Sequence, residues 1–213
     1  MSLSTLADRY IEKSTGKKEL IHRNGNVDQI IAVILAADQK GRGFTKRFAR
    51  HLKAGSDRQT LRNIWKFTKS NIKYLRDRAG DEVIKSPGAT WETRKGDCKS
   101  FSVFIGSILG NLGYDYKYRV AFYDPKTPEQ GHIYPVAILK DGTEVIVDAV
   151  WDYFDSEVPY WKAYDYNPSD GTRSQVSGIG TKPVLLGLSL NWIKTLAIAG
   201  LATWAILGKK KRK

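Results

Sequence analysis

The spacing of apolar positions predicts a helical first half of the chain. Apolar residues recur at intervals of three and four over 27–37, 44–52 and 56–74, which is the period of one helix face. A turn is expected at 38–43, where charged residues and two glycines interrupt the pattern. A further short helix is expected within 1–24. The chain therefore begins with several amphipathic or buried helices.

A mostly apolar stretch begins at Cys98 and ends near Leu112. Its apolar positions form a broad face, which is typical of a central helix packed on several sides. The preceding segment, 77–97, has no sustained period and contains proline and glycine, so a loop is expected there. A loop that leads into a helix is a common place for a reactive side chain.

Beyond this helix the period changes from helical to alternating. Strands are predicted over 116–122, 132–139 and 143–150, and Asp141-Gly142 is a strong signal for a hairpin turn between the last two. Helices followed by an antiparallel sheet define the α+β class. The predicted architecture is therefore one α+β core with additional terminal segments.

Composition shifts divide the chain further. Residues 151–168 are rich in aromatic residues and are expected to wrap around the core as a long ordered loop. The predicted parts are an N-terminal helical region packed on the core (1–55), the core (56–168), a linker (169–183), an apolar segment (184–208) and a basic tail (209–213).

The apolar segment 184–208 is long enough for a membrane span, which needs about 20 mostly apolar residues. Trp192 and Trp204 would lie toward the two interfaces, where tryptophan is favoured. Lys194 favours two alternatives, an interfacial helix and a soluble terminal helix. The basic tail fits anionic lipid headgroups and a cytoplasmic C-terminus. The segment therefore predicts membrane association through a C-terminal single-pass anchor.

The net charge of +13 first suggests a nucleic-acid partner. Part of this charge lies after residue 183, where no acidic residue occurs, and the rest of the chain carries mixed charges. No helix-turn-helix, zinc finger or ribonucleoprotein motif is visible, so nucleic-acid binding is not expected. One cysteine excludes an intramolecular disulfide and a multi-cysteine zinc site, and neither a metal nor a cofactor is predicted. No signal peptide is expected either.

Three residues form a chemically coherent set: Cys98, His132 and Asp148. A thiol attacks as the thiolate, which both a helix N-terminus and a neighbouring imidazole favour. His132 and Asp148 lie on two strands that a tight hairpin joins, so the carboxylate can orient the imidazole. Each residue also has a structural explanation, as a buried thiol, a strand histidine and a strand-end carboxylate.

The stretch 61–154 resembles the transglutaminase-like core of the papain-like cysteine-enzyme superfamily. In that family the cysteine opens a central helix, and the histidine and aspartate lie on adjacent strands of an antiparallel sheet. The resemblance implies that Cys98, His132 and Asp148 are the catalytic residues. It rests on Asn71-Ile72-Lys73-Tyr74, Arg94-Lys95-Gly96-Asp97-Cys98-Lys99-Ser100, Leu109-Gly110-Asn111-Leu112-Gly113-Tyr114, Tyr118-Arg119-Val120, His132 and Val147-Asp148.

The chain also departs from the family pattern. Ile133-Tyr134-Pro135 follows the histidine, where the family often has Ala-Trp, and Ala149-Val150 follows the aspartate in place of the frequent proline or threonine. No side chain is identified for the oxyanion site, because the pattern secures neither Trp91 nor Glu92. These departures bear on substrate class more than on fold.

The resemblance implies a membrane-associated cysteine hydrolase that cleaves amide bonds of a protein, peptide or peptidoglycan substrate through a thioester intermediate. Two alternatives stay open. A transglutaminase would resolve the same thioester with a lysine amine and so join glutamine to lysine. A non-enzymatic, membrane-tethered module would retain the fold without its chemistry, since fold alone does not fix function.

Overall fold

The computed structural model describes residues 1–14, 19–21, 26–78, 81–127 and 130–176. The helices are α1 (Leu3–Tyr10), α2 (Val27–Ala49), α3 (Asp57–Asn71), α4 (Pro87–Thr93) and α5 (Cys98–Leu112), with one turn of 3-10 helix at Arg50–Leu52. The strands are β1 (Glu19–Ile21), β2 (Lys73–Tyr74), β3 (Glu82–Ile84), β4 (Lys95–Gly96), β5 (Asp115–Phe122), β6 (Gly131–Ile138), β7 (Glu144–Ile146), β8 (Lys162–Tyr166) and β9 (Arg173–Gln175).

Helix α5 is central to the fold and is buried along most of its length. It packs against α2 and against the sheet strand β6. The Asp97 side chain begins the helix by accepting a hydrogen bond from the Ser100 N–H at 3.1 Å. Gly113 ends the helix in the left-handed conformation, with φ at 78°. These two caps fix the position of residue 98 relative to the sheet.

A five-stranded antiparallel sheet covers α5, with the strand order β7-β6-β5-β8-β9. Side chains alternate along β5, so Tyr118 and Val120 join the main core while Ala121 joins a second apolar cluster. Two small ladders, β1–β3 and β2–β4, lie outside this sheet. Helices followed by an antiparallel sheet confirm the predicted α+β class.

The turn predicted at 38–43 is wrong, because α2 continues through these residues to Ala49. Glycine inside a helix costs about 1 kcal/mol relative to alanine, which is why the pattern suggested a break. Packing overrides this cost at Gly41, where an added Cβ would lie 2.9 Å from Pro87 Cδ. The glycine therefore permits close contact between α2 and α4.

The regions predicted as irregular contain more regular structure than their patterns indicated. The loop expected over 77–97 includes β3, α4 and β4, and the loop expected over 151–168 includes β8. Strand β9 lies within the predicted linker, 169–183. Helix α3 ends at Asn71, short of the predicted end at Tyr74, because the chain then pairs with β4. Short strands carry too few residues to show a period.

The apolar helix predicted over 184–208 and the tail over 209–213 lie outside the described residues. Within the described part of the chain, no helix combines the length and apolar character that a membrane crossing requires. The division between the predicted parts 1–55 and 56–168 stays a prediction.

Candidate active site

Cys98 is the first residue of α5 and is partly buried. The parallel pair β2–β4 guides the chain to this point, and the Leu75 N–H donates to the Gly96 carbonyl at 2.8 Å. A Cβ at Gly96 would lie 2.7 Å from Ser100 Cβ, so the close approach of this strand to the helix requires glycine. The thiol therefore stands at the positive end of the helix dipole.

The sheet brings His132 and Asp148 together. His132 lies near the start of β6 and pairs with Ala121 of β5, while Asp148 follows β7, the next strand of the sheet. The distance from His132 Nε2 to Asp148 Oδ2 is 2.7 Å. The second oxygen, Asp148 Oδ1, accepts from the Val150 N–H at 3.0 Å. One carboxylate thus binds the imidazole and caps its own loop.

The Cys98 side chain also acts electrostatically on the His132 imidazole, so the thiol lies close to the ring. Burial lowers the pKa of His132, but the Asp148 carboxylate and the contact with Cys98 outweigh burial and raise this pKa to about 10. An imidazolium at neutral pH is the partner that a thiolate requires. The structure therefore places all three predicted residues in one connected set.

A family profile for a transglutaminase-like domain matches residues 44–165, which is more than half of the chain. The chain belongs to the transglutaminase-like family. The matched range includes Cys98, His132 and Asp148. No curated protein sequence matches the chain.

A solved structure shares this fold at low sequence identity. A candidate protease from Parabacteroides distasonis has a TM-score of 0.55 and 14% identity, over 74% of this chain and 32% of that protein. The chain therefore spans about a third of that protein's length. Calcium-bound LapG from Legionella pneumophila has a TM-score of 0.48 and 17% identity, over 78% of this chain and 98% of LapG. At these identities the likeness concerns the fold alone.

In this transglutaminase-like domain, Trp65 hydrogen-bonds the backbone of Asp148, a contact that the sequence did not indicate. Its indole Nε1–H donates to the Asp148 backbone carbonyl at 2.8 Å. The bond joins α3 to the segment after β7, across a large separation in the chain. Helical spacing identified Trp65 only as a core-facing residue, because a tertiary hydrogen bond leaves no local pattern.

Lys99, the neighbour of the cysteine, lies in a cluster of carboxylates that the sequence also did not reveal. Its ammonium is buried and pairs with Asp97, with Glu82 at 2.8 Å and with Asp77 at 3.4 Å. Burial lowers the pKa of Lys99, but Asp97 and its other anionic neighbours outweigh burial and raise this pKa. The cluster thus connects the segment before α4 to Asp97, the N-terminal cap of α5.

A second buried network lies behind the imidazole. The Arg119 guanidinium donates to both oxygens of Asp165, at 2.8 and 2.9 Å, and to Glu157 at 2.6 Å. The Tyr134 hydroxyl donates to the same Glu157 oxygen at 2.8 Å. The Tyr134 ring lies 5.3 Å from the His132 ring, measured between centroids. The charge network therefore fixes the aromatic wall on which the imidazole packs.

Neither side chain considered for the oxyanion site lies at the cysteine. Trp91 is buried in the core, where its ring stacks on Phe67 at 5.3 Å and on Phe104 at 6.4 Å. Glu92 is exposed and accepts from the Ser14 N–H at 3.3 Å. The backbone N–H of Cys98, at the open end of α5, is the donor that the geometry offers.

A metal centre finds no support in the described residues. Among them, histidine, cysteine, aspartate and glutamate side chains form no group of three or more that could hold a metal ion. The acidic cluster around Asp97 already contains the Lys99 ammonium.

Proposed function

We propose that this chain is a thiol hydrolase that cleaves amide bonds of polypeptides through Cys98, His132 and Asp148. The observation that carries the proposal is the connected set itself. An imidazole that bonds a carboxylate at 2.7 Å lies close to a thiol at a helix N-terminus. A buried inert cysteine needs neither partner, whereas a nucleophile needs both.

In the proposed reaction the Cys98 thiolate attacks the amide carbonyl and forms a carbon–sulfur bond. The Cys98 N–H at the start of α5 stabilises the resulting oxyanion. The His132 imidazolium gives its proton to the leaving nitrogen as the carbon–nitrogen bond breaks, which leaves a thioester and a free amine. Asp148 holds the imidazole in the required orientation throughout.

Water completes the proposed cycle. Neutral His132 takes a proton from a water molecule, which attacks the thioester carbonyl. The carbon–sulfur bond breaks and releases the carboxylic acid, and the thiolate–imidazolium pair forms again. A lysine amine in place of this water would give the cross-linking reaction.

The first test compares alkylation of Cys98 by iodoacetamide in the wild type, His132→Ala and Cys98→Ala. The wild type is expected to react near neutral pH faster than a free thiol, His132→Ala to lose this advantage, and Cys98→Ala to remain unlabelled. A wild-type rate equal to that of a free thiol would refute the catalytic proposal. It would favour the non-enzymatic module.

The second test separates hydrolysis from cross-linking. The full chain is incubated with an unfolded, fluorescently labelled protein, with and without a dansylated alkylamine. Hydrolysis predicts soluble fragments without dansyl incorporation, and Cys98→Ala is the matched control. Dansyl incorporation without fragments would replace the hydrolase proposal by the transglutaminase one.

We also propose that 184–208 anchors the hydrolase in a membrane and that the basic tail contacts anionic lipid. The support is the apolar run and its two tryptophans in the sequence. After expression in cells, the full chain should resist carbonate extraction of membranes, whereas a chain ending at residue 183 should appear in the supernatant. Release of the full chain by carbonate would overturn the anchor.

A further inference from the structure

The exposed apolar side chains of the described residues are few, and some of them border the candidate site. The exposed large apolar residues are Met1, Leu3, Tyr74, Leu75, Tyr153 and Trp161. Single exposed apolar residues are normal on a protein surface, but two consecutive ones beside a nucleophile call for an explanation. Tyr74 and Leu75 are 43% and 52% exposed, and they lie next to Gly96 in the ladder that leads to Cys98.

Tyr74 lies alongside the first turn of α5. Its ring is 6.1 Å from that of Phe101, nearly perpendicular to it. Phe101 is one helical turn beyond Cys98 and therefore shares its face of the helix. The charges that act on the Tyr74 hydroxyl are those of Cys98, Asp97, Arg76 and Lys99. Tyr74 thus borders the thiol.

The position of Tyr74 indicates which part of a substrate it would contact. His132 must face the leaving nitrogen in order to protonate it, so the leaving group lies toward β6. Tyr74 lies on β2, which pairs with β4, and its ring packs on Phe101 of α5, so it approaches the thiol from outside the five-stranded sheet. A side chain beside Tyr74 therefore belongs to the acyl part of the substrate, which stays on the cysteine.

The backbone of β2 offers a matching feature. The N–H groups of Lys73 and Leu75 donate to the carbonyls of Arg94 and Gly96, both at 2.8 Å. In a parallel ladder the intervening residue turns its own N–H and C=O to the opposite edge. The backbone of Tyr74 can therefore pair with an extended chain, while its ring contacts a side chain of that chain.

We propose that Tyr74 forms the acyl-side subsite of the hydrolase and selects a polypeptide with a large apolar side chain next to the scissile amide. This inference rests on the proposed function and adds the substrate class to it. Partial burial and the neighbouring negative charges raise the pKa of Tyr74, so its hydroxyl stays neutral and the subsite carries no anion.

The test uses peptidyl chloromethyl ketones that alkylate Cys98 and carry phenylalanine, leucine, alanine or glutamate at the acyl position. In the wild-type full chain, phenylalanine and leucine reagents should react about tenfold or more faster than the alanine reagent, which is a typical discrimination by an apolar pocket. Tyr74→Ala should reduce this ratio several-fold, and Tyr74→Phe should retain it. Tyr153→Ala removes an aromatic of similar exposure and should leave the ratio unchanged.

Two results would overturn the subsite: equal rates for the apolar and glutamate reagents in the wild type, or an undiminished ratio in Tyr74→Ala. Both readings use ratios between reagents on one protein, so a general loss of folding does not imitate them. The iodoacetamide comparison with His132→Ala is run in parallel. Dependence on His132 without selectivity refutes the subsite alone, whereas independence of His132 refutes the proposed function.

Discussion

The contact between His132 and Asp148 predicts a large effect of Asp148→Asn on the charge of the imidazole. The substitution keeps the side-chain volume and an oxygen that can accept from the Val150 N–H, and it removes the negative charge. Burial then acts on His132 without the compensating carboxylate, so its pKa should fall from about 10 to 6.5 or below. At pH 8 the imidazolium fraction should fall from about 99% to about 3% or less.

The same contact makes stability depend on pH. The folded-state pKa of His132 lies above its ordinary value of 6.5, so its contribution is fully present below pH 6.5 and is lost as pH rises to about 10. Each pKa unit corresponds to about 1.4 kcal/mol, so the whole contribution is at most about 5 kcal/mol. The His132 side chain is only 19% exposed, so screening by solvent reduces this figure only modestly.

The assay is a histidine-selective NMR titration, with the His132 resonance assigned by its loss in His132→Gln. Urea unfolding of the wild type at pH 6.5 and 9.5 then measures the linked free energy. Asp152→Asn is a matched control, because Asp152 is 77% exposed and pairs with Lys69 at 2.7 Å. A His132 pKa near 6.5 in the wild type, or an unchanged pKa in Asp148→Asn, would refute the reasoning.

Three further substitutions test the supports of the site. Lys99→Met leaves the buried carboxylates around Asp97 without a cation and should destabilise the fold by about 3–5 kcal/mol in urea unfolding, whereas Lys99→Arg should cost less. Trp65→Phe leaves the Asp148 carbonyl without its donor, so unfolding should cost about 1–3 kcal/mol less and alkylation of the cysteine should slow. Arg119→Met leaves the buried Glu157 without a cation, although Lys117 still pairs with Asp165, and should destabilise the fold by about 3–5 kcal/mol in urea unfolding; an unchanged free energy of unfolding would contradict this.

The central helix and the hairpin could be predicted because their signals are local. The apolar face that begins at Cys98 and the Asp141-Gly142 turn each lie within a short window of sequence. The same windows predict His132 and Asp148 on two strands joined by this hairpin; His132 does lie on β6, but β7 ends at Ile146, so Asp148 lies beyond its strand. Residue type and order therefore predict that these side chains meet, but not where the second strand ends.

The contacts that hold Cys98, His132 and Asp148 in place could not be predicted, since they join segments that are distant in the sequence. Asp77 and Glu82 lie in a region with no period, and only the folded chain brings them to Lys99. Gly41 resembled a helix breaker because a sequence does not show that Pro87 packs on it. Charge networks and close backbone contacts are tertiary facts, so a local pattern cannot encode them.

The buried guanidinium of Arg119 has a consequence for the order of events during synthesis. Its partners, Glu157 and Asp165, leave the ribosome after the cysteine, the histidine and the aspartate have all emerged. Until they arrive, Glu144 is the carboxylate partner of Arg119 already on the chain, and Tyr134 has no acceptor for its hydroxyl. The charge network beside the imidazole is therefore complete only after the segment through β8 has been synthesised.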